Sequence, residues 1–497
     1  MLQGCGSQPL PELNPDAFVA SSESQGWSPS SSATQALQPG DGMSLPLAGI
    51  EAMSFAPEGT QSLISLVDFS LSNRPETRAA WERARVAAAQ LGMVRAQWYP
   101  TFGIEADLSF QRIIFPASGS AFFIEQGMIE PSLNLNYLLL DFGRRKADDD
   151  RVRAMLWAAN LQYDRILQQT IHDVQVGYFQ LDAAIAMKKA AERNLDLAVT
   201  VVDMIEDRMA MGLATMPELL LARQDLAQAR FDLEATVAGI SVARSDLLFA
   251  CGLPATMPID ISPITDEQLP DGFNVRVEEV INQALSRRPD LAASVAKVRA
   301  ADAAVARAEA EFMPQVSAYA SLGGAFTRFQ TQIAESRNPA VNQTYPWTNA
   351  STDTWAVGLG GSWMIFEGYQ RENAVRAARA SRREAEELLR GLRLAVISET
   401  WDAFFSVQAA SRQYEFGIAL LESSQEAYDA IEAAYIQGLA TITELVEAEK
   451  DLQAARSTLV NTRADLLVAS SNLTFAAGTD HGQWMGADAN GPVAAGP

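Results

Sequence analysis

The sequence contains very little cysteine and histidine. Of its 497 residues only two are cysteines and two are histidines, namely Cys5, Cys251, His172 and His481. Two cysteines this far apart supply neither a disulfide framework nor a metal cluster, and two histidines leave almost nothing for zinc or triad chemistry. A glycine-rich phosphate loop is also missing, and the Asp-Phe-Gly at 141–143 lacks the other parts of a kinase signature. We therefore predict a protein that is not an enzyme and needs no metal or cofactor.

Basic residues and long apolar runs are scarce as well. The chain has 38 Lys and Arg against 61 Asp and Glu, which gives a net charge of −23. This acidity argues against binding to nucleic acid or docking on anionic lipid. The sequence has no run of about 18 apolar residues and therefore predicts no membrane-spanning helix. If the chain crosses a bilayer, strands must do so.

The sequence does contain an ordered internal repeat. GLATMPELLLARQDLAQAR at 212–230 matches GLATITELVEAEKDLQAAR at 438–456 in eleven of nineteen positions. The segment 73–103 matches 287–317 at an offset of 214, whereas the glycine-headed phrases lie at an offset of 226. The second copy therefore has extra residues, as expected in a loop. We predict two equivalent halves, 62–252 and 276–478, joined by an equatorial linker at 253–275 and followed by a flexible tail at 479–497.

Each half contains two segments in which apolar residues alternate with polar or small ones. In the first half these segments are 101–111 and 133–139. In the second half they are 316–322 and 355–365. A period of two over about ten residues is typical of a membrane strand or of a soluble sheet with one wet face. We predict β-hairpins at 101–142 and 315–367, with loops at 111–130 and 327–353 that face outside.

Between the strands and the repeated phrase lies a long stretch without proline. Apolar residues recur there at steps of three and four, for example at Tyr163, Leu167 and Ile171. This spacing predicts one helix of close to 70 residues in each half, about 100 Å long. A return helix of about 37 residues and a helix of about 24 would lie end to end against it. The repeated phrase is then a helical hairpin, at 212–217 and 438–443, with a glycine C-cap followed by a capping box.

Two hairpins provide four strands per chain, and four strands cannot close a barrel. Open strand edges are not tolerated in lipid, so closure requires two chains for eight strands or three for twelve. A closed oligomer of this kind, continued by long helices, would be a duct. A coiled-coil stalk or adhesion protein is the alternative, and the paired amphipathic strands argue against it.

The ordered set of motifs resembles the TolC-like outer-membrane efflux family over about 62–478. The residues that carry the resemblance are Arg-Pro-Glu at 74–76, Arg-Pro-Asp at 288–290, Tyr-Pro at 99–100, Met-Pro at 313–314, Leu-Asp-Phe-Gly at 140–143, Ile-Phe-Glu-Gly at 365–368 and the doubled Gly-Leu-Ala-Thr. The resemblance implies an α+β membrane protein: a trimeric 12-stranded β-barrel, with four strands per chain, continued by an α-helical coiled-coil tunnel. It also implies a passive exit duct in the bacterial outer membrane, with the tunnel in the periplasm.

The family's partners and lipid anchor follow from the same resemblance. It implies a homotrimer that works with a periplasmic adaptor and an inner-membrane pump of an efflux or type I secretion system. Leu2-Gln3-Gly4-Cys5 resembles the end of a bacterial lipoprotein signal, so lipid is expected on Cys5 of the native precursor. Residues 1–61 would then be an extended anchor segment. The cargo stays open among drugs, metal ions and polypeptides, because the pump selects it.

The resemblance also predicts the functional site at the far end of the tunnel. It places the pore constriction at Glu444, Glu447 and Glu218, with Tyr435 as a residue that holds the closed state through hydrogen bonds. Glu444 and Glu447 are three residues apart and share a helix face, so three copies would form two acidic rings. A helix-start carboxylate and a solvated surface acid remain the alternatives for these two residues.

One residue departs from the family's pattern at this site. The arginine that usually accompanies the tyrosine in this family falls at Ala440, which argues against the family's salt-bridge latch.

The hairpin turns themselves are predicted to dock the adaptor or pump, through Gly212, Leu213, Thr215, Gly438, Leu439 and Thr441.

Overall fold

The computed structural model describes residues 59–117, 120–264, 276–335 and 342–478. Cys5, most of the predicted anchor segment, part of the linker and the tail lie outside these residues. Within the described ranges the chain has eight helices and five strands: α1 (Leu63–Asn73), α2 (Pro75–Ala96), β1 (Thr101–Ala117), β2 (Ser120–Leu140), α3 (Arg144–Ala210), α4 (Met216–Ala250), α5 (Val277–Arg287), α6 (Pro289–Ala310), β3 (Gln315–Glu335), β4 (Gln343–Thr344), β5 (Thr348–Ser362), α7 (Gln370–Ile436) and α8 (Ile442–Ala477).

The long helices α3 and α7 organise the fold. Each has 67 residues, which is about 100 Å of continuous helix. A helix of this length buries its apolar seam only if other helices cover it along the whole length. On α3 this cover is given by α2 and α4, and on α7 by α6 and α8. Among the described residues, no helix combines the length and the apolar character needed to cross a bilayer.

The repeated Arg-Pro motifs lie where the stacked short helices meet. Arg74 precedes α2 and donates to Asp173 of α3 at 2.8 Å, while Arg288 precedes α6 and donates to Glu399 of α7 at 2.6 Å. Both arginine side chains are largely buried, and Glu399 lies 226 residues after Asp173 (399 − 173 = 226). Each motif therefore links the break between short helices to the middle of a long helix.

The repeated glycines after α4 and α8 fit against these same arginines. Gly252 has φ +73° and Gly478 has φ +66°, in the left-handed region that favours glycine. A Cβ on Gly252 would lie 3.2 Å from Arg74 Cα, and one on Gly478 would lie 3.1 Å from Arg288 Cα. Because these glycines have no side chain, the end of α4 can approach the break between α1 and α2, and the end of α8 can approach the break between α5 and α6. Nearby, Cys251 is fully buried, and burial raises the pKa of its thiol.

The sheet is antiparallel, in the order β1-β2-β3-β5, with short β4 also paired to β3. Directly paired residues share a face, because side chains alternate along each strand. One face is apolar over most of its length, through Phe102, Ile104, Leu108, Phe110, Ile129, Leu133, Leu322, Phe326, Trp355, Val357 and Leu359. The other is polar, through Glu105, Asp107, Gln111, Gln126, Glu130, Ser132, Asn134, Ser317, Ser321 and Thr327.

The predicted loops at 111–130 and 327–353 are wrong. β1 and β2 pair without interruption from Thr101↔Asn136 to Ala117↔Ser120, so 111–117 and 120–130 are strand. In the second, β3 runs on to Glu335 and β5 begins at Thr348. In the first region consecutive apolar residues break the alternation, and in the second most residues are polar, so neither region shows a period of two in the sequence. The last strand also ends at Ser362, so Trp363 and Ile365 lie after it.

The two kinds of glycine in the helical part give opposite expectations for substitution by alanine. Gly252→Ala introduces a side chain where φ is positive and Arg74 is close, and we expect it to destabilise the protein by about 1–3 kcal/mol. Gly239→Ala lies within α4 with open space around the added Cβ, and should stabilise it by up to about 1 kcal/mol. Thermal unfolding of the detergent-solubilised protein, followed by circular dichroism, measures both. Equal shifts in the two variants would contradict the packing described for Gly252.

Candidate gate and docking site at the helical-hairpin tips

The turn between α3 and α4 is a Schellman motif centred on Gly212. Gly212 has φ +72°; its N–H donates to Met209 O at 3.0 Å, and the Leu213 N–H donates to Arg208 O at 2.8 Å. These two bonds satisfy carbonyls that the end of α3 leaves without a partner. The left-handed conformation requires glycine, because a Cβ there is strained.

The turn between α7 and α8 repeats this geometry. Gly438 has φ +76° and its N–H donates to Tyr435 O at 3.0 Å, while the Leu439 N–H donates to Ala434 O at 2.8 Å. Leu439 is 80 % exposed, and Leu213 in the first turn is also exposed. Each tip therefore presents one leucine to its surroundings, next to a rigid backbone.

Capping boxes start both return helices. The Glu218 carboxylate accepts from the Thr215 N–H at 2.6 Å, and Glu444 accepts from the Thr441 N–H at 2.6 Å. Glu444 also accepts from the Thr441 hydroxyl at 2.9 Å. The backbone hydrogen bond from Thr441, followed by its hydroxyl, lowers the pKa of Glu444. Glu444 is thus a charged cap, the alternative role that the sequence allowed for it.

Glu447 is placed differently. It is exposed on α8 between the buried residues Val446 and Ala448. Within the described part of the chain, no hydrogen bond or ion pair is recorded for its carboxylate, and it lies three residues from Glu444 on the same helix. The corresponding position of the first half is Leu221. At this position the second tip therefore carries an uncapped, exposed carboxylate, whereas the first tip carries a leucine.

Tyr435 is buried at the junction of the two halves, where only 4 % of it is exposed. The guanidinium of Arg208, in the last turn of α3, lies 4.8 Å from the Tyr435 ring centroid and donates to Ile436 O at 3.0 Å. Burial, and then the charge of Glu218, raises the pKa of Tyr435. An arginine does accompany this tyrosine, but it comes from the first half and not from position 440. Its position four residues before Gly212 is the signal that could have indicated it.

The structure adds an acidic pair that the sequence analysis missed. Glu449 of α8 is only 4 % exposed, and its carboxyl group lies within the electrostatic influence of Asp225 on α4. Burial, and then the charge of Asp225, raises the pKa of Glu449 to about 8, and burial also raises that of Asp225. Lys450 Nζ lies 3.8 Å from Asp225 Oδ1. The available signal was position, because Glu449 lies in the buried seam between Leu445 and Leu452.

These groups surround one apolar cluster that joins both tips. Its fully buried members include Ile205 of α3, Leu219 of α4, and Leu445 and Leu452 of α8. Tyr435 and Tyr428 belong to the same cluster. Movement of the second tip would therefore have to break apolar packing as well as the contact between Arg208 and Tyr435.

Comparison with known proteins identifies the family. The family model described as outer membrane efflux protein matches residues 66–253 and 280–479. The chain belongs to the outer membrane efflux protein family. The family predicted from the sequence motifs is therefore confirmed.

Individual relatives agree over most of the chain. It is 26% identical to Protein CyaE of Bordetella pertussis over 421 residues, which cover 84% of each chain. It is 27% identical to the pyoverdine export outer membrane protein OpmQ of Pseudomonas aeruginosa over 447 residues, 86% of each chain. Outer membrane protein TolC of Escherichia coli K12 is 22% identical over 439 residues, 88% of this chain and 85% of TolC.

Solved structures show the same fold. The outer-membrane channel OprN superposes with a TM-score of 0.71 at 22% identity, covering 84% of this chain and 90% of OprN. CusC gives a TM-score of 0.70 at 20% identity, covering 84% and 92%. The chain is thus an outer-membrane exit duct of the kind used in efflux and secretion, with its helices in the periplasm.

The acidic pair makes the stability of the tips depend on pH. The folded-state pKa of Glu449 is about 8 against an ordinary 4.5, so the folded protein keeps a proton that the unfolded chain has released between these values. The free energy of unfolding therefore falls as pH rises from about 4.5 to about 8, by on the order of a few kcal/mol, and levels off above. Glu449→Gln keeps the shape without the charge and should flatten this decrease.

Thermal unfolding midpoints of the detergent-solubilised protein at about pH 5 and about pH 9 test this dependence. Glu422→Gln, at an exposed position of α7, is the matched control and should keep the wild-type difference. If Glu449→Gln retains the full wild-type decrease, Glu449 does not hold the proton.

Proposed function

We propose that three copies of the chain close into one exit duct, which receives cargo from a periplasmic adaptor and an inner-membrane pump. In this proposal an internal two-fold repeat supplies four strands per chain, and three chains complete a 12-stranded barrel above a helical tunnel. The supporting observation is that the sheet and the helical wall both have two open lateral edges.

The open edges of the sheet coincide with those of the helical layer. β1 and β5 are the outer strands, and short links connect β1 to α2 and β5 to α7. In the helical layer α3 packs on α2, α4, α6 and α8, while α7 packs on α6 and α8. One lateral edge is therefore β1 with α2 and α4, and the other is β5 with α7.

Both helical edges carry exposed apolar side chains. They are Trp81, Val86 and Met93 on α2, Phe231, Val242 and Phe249 on α4, and Leu388, Leu394 and Phe416 on α7. Because the two edges differ, they fit a head-to-tail interface, which forms a ring when the rotation closes. The same ring would pair β5 of one copy with β1 of the next and leave no strand edge in lipid.

The number of copies follows from what the barrel has to contain. Two copies would give eight strands, and the interior of an eight-stranded barrel is just filled by its own side chains. Three copies give twelve strands and leave room for an aqueous passage lined by the polar face of the sheet. The family resemblance favours the same number.

The hairpin tips supply the gate and the docking surface in this proposal. Glu447 of three copies would form an acidic ring at the inner end of the duct, and Glu444 a second ring of capped carboxylates. Cations would concentrate there, as at the carboxylate rings of cation channels. Leu213 and Leu439, held out by their rigid turns, would contact the adaptor or pump, and a lipid on Cys5 would tether the N-terminal segment.

The gate is tested by planar-bilayer recordings of the purified oligomer. Glu447→Gln should raise the concentration of a divalent cation needed for half-block by about tenfold and reduce cation selectivity, because the uncapped ring loses its charge. Glu422→Gln serves as the matched exposed acid on α7 and should behave as wild type. Unchanged block and selectivity in Glu447→Gln would remove the gate from the proposal while leaving the duct.

Assembly is tested by native mass spectrometry of the detergent-solubilised protein, with three chains per particle expected. Phe416→Asp with Leu394→Asp places charge on the α7 edge and should shift the population toward single chains, since buried unpaired charge is costly. Val199→Asp is the control. Val199 is exposed on α3, which does not lie at a lateral edge of the helical layer, so this variant should leave three chains. One or two chains in the wild type would contradict the ring of three.

A further inference from the structure

The apolar face of the sheet ends at a well-defined row. On β1 the apolar residues continue from Phe102 to Phe110, and the next residue on this face is Arg112. Arg112 Nε lies 3.6 Å from Glu125 on β2, and its guanidinium lies 4.9 Å from the Phe123 ring centroid. On β3 the same face changes at Arg328, two residues after Phe326. About nine tilted residues match the apolar band of a membrane barrel, so the hairpins continue beyond the lipid.

The opposite face changes in the reverse sense at the same height. It is polar as far as Gln111 and its partner Gln126. From this row outward it carries six large apolar residues, of which Phe329 pairs with Gln126 itself. We call them the tip patch: Ile113, Phe115, Phe122, Ile124, Phe329 and Ile333. Ile113 pairs with Ile124, and Phe122 pairs with both Phe115 and Ile333, so the patch is continuous across three strands.

The contrast between the two faces shows which one needs cover. Above the boundary the outer face carries Ile114 and Phe123, but Arg112, Glu125, Gln330 and Gln332 surround them with groups that suit water. The tip patch has no charged member, and Phe115 is 50 % exposed in the single chain. Apolar surface of this kind is covered when it can be, because contact with water is unfavourable.

The geometry identifies what covers the patch. In the closed duct the polar face of the sheet looks toward the axis, and the tip patch belongs to that face. Three copies related by the ring would carry their patches at one height, each facing the other two across the passage. Two further copies of the patch are therefore the partners of matching chemistry and position.

We propose that the three tip patches meet at the axis and form an apolar constriction at the outer mouth of the duct. This inference rests on the proposed three-chain duct. A narrow apolar ring excludes water and so hinders ions. The duct would then have two barriers of opposite chemistry. The acidic barrier lies at the tips of the helical hairpins, and the apolar barrier lies at the outer mouth, at the ends of the β-hairpins.

The test compares neighbouring residues that point to opposite faces. Ile113→Asn with Ile124→Asn makes the tip patch polar, whereas Ile114→Asn with Phe123→Asn changes the pair one step away on the outer face. Single-channel conductance of the full-length oligomer is recorded in planar bilayers. Each double substitution is also combined with Glu447→Gln. A narrower constriction at Glu447, in series with the outer one, would otherwise limit the conductance and mask a change at the outer mouth.

We expect the tip-patch pair to raise conductance by at least about twofold, and the outer-face pair to leave it as in wild type. Thr331→Leu provides an opposite change, since Thr331 pairs with Ile124 on the patch face, and it should lower conductance. It also covers the case in which the asparagine pair fails to fold.

The outcomes separate this inference from the function on which it rests. A wild-type trimer that conducts equally with polar and apolar tip patches, in both backgrounds, overturns the constriction and leaves the duct. The same result is expected if an external partner or cargo covers the patches instead. A folded wild-type protein without a closed oligomer or any conductance overturns the duct, and the constriction with it.

Discussion

A continuous helix of 67 residues has to be covered along its whole length, and the rest of the structure follows from this constraint. No second helix of equal length is available within one half, so two shorter helices divide the task and must meet part-way. Their ends concentrate unsatisfied backbone groups and charge at the middle of the long helix. Arg74 with Asp173, and Arg288 with Glu399, stabilise these meeting points. The strands and the turns then lie at opposite ends.

The two ends of the chain solve different physical problems. The sheet has an apolar and a polar face, and its outer strands β1 and β5 each leave one edge unpaired within the described part of the chain. The hairpin tips carry their own apolar cluster, in which the halves join through residues such as Ile205 and Leu445. Order at the tips is therefore largely intrinsic to one chain, whereas in the proposed duct neighbouring copies complete the sheet. In the proposed duct the gate lies at the tips, where packing and charge are balanced within each chain.

Periodicity in the sequence predicted the long helices, their turns and the starts of β1 and β3, because each of these depends on local spacing. It failed at 111–130, where Ile113, Ile114 and Phe115 are apolar in succession and only the pairing partner shows which face each residue occupies. It also missed the contact of Arg208 with Tyr435, and the pairing of Glu449 with Asp225. Residues 225 and 449 lie on different helices, and a lone acid in a helix usually indicates a solvated surface. The positions of Arg208 before Gly212 and of Glu449 in a buried seam are local signals, but nothing local indicates which residue of another helix each one contacts.

The difference between Leu221 and Glu447 has a consequence for symmetry. Three chains would end the tube in six hairpins, and these would alternate between an apolar and an acidic flank. A surrounding set of six identical partner subunits would then meet two kinds of neighbour in turn. The six subunits would bind as three equivalent pairs, and the two members of each pair would have different environments. The assembly as a whole would then have threefold and not sixfold symmetry. Partner subunits would then be able to dissociate from the acidic hairpins while they remain bound to the apolar hairpins.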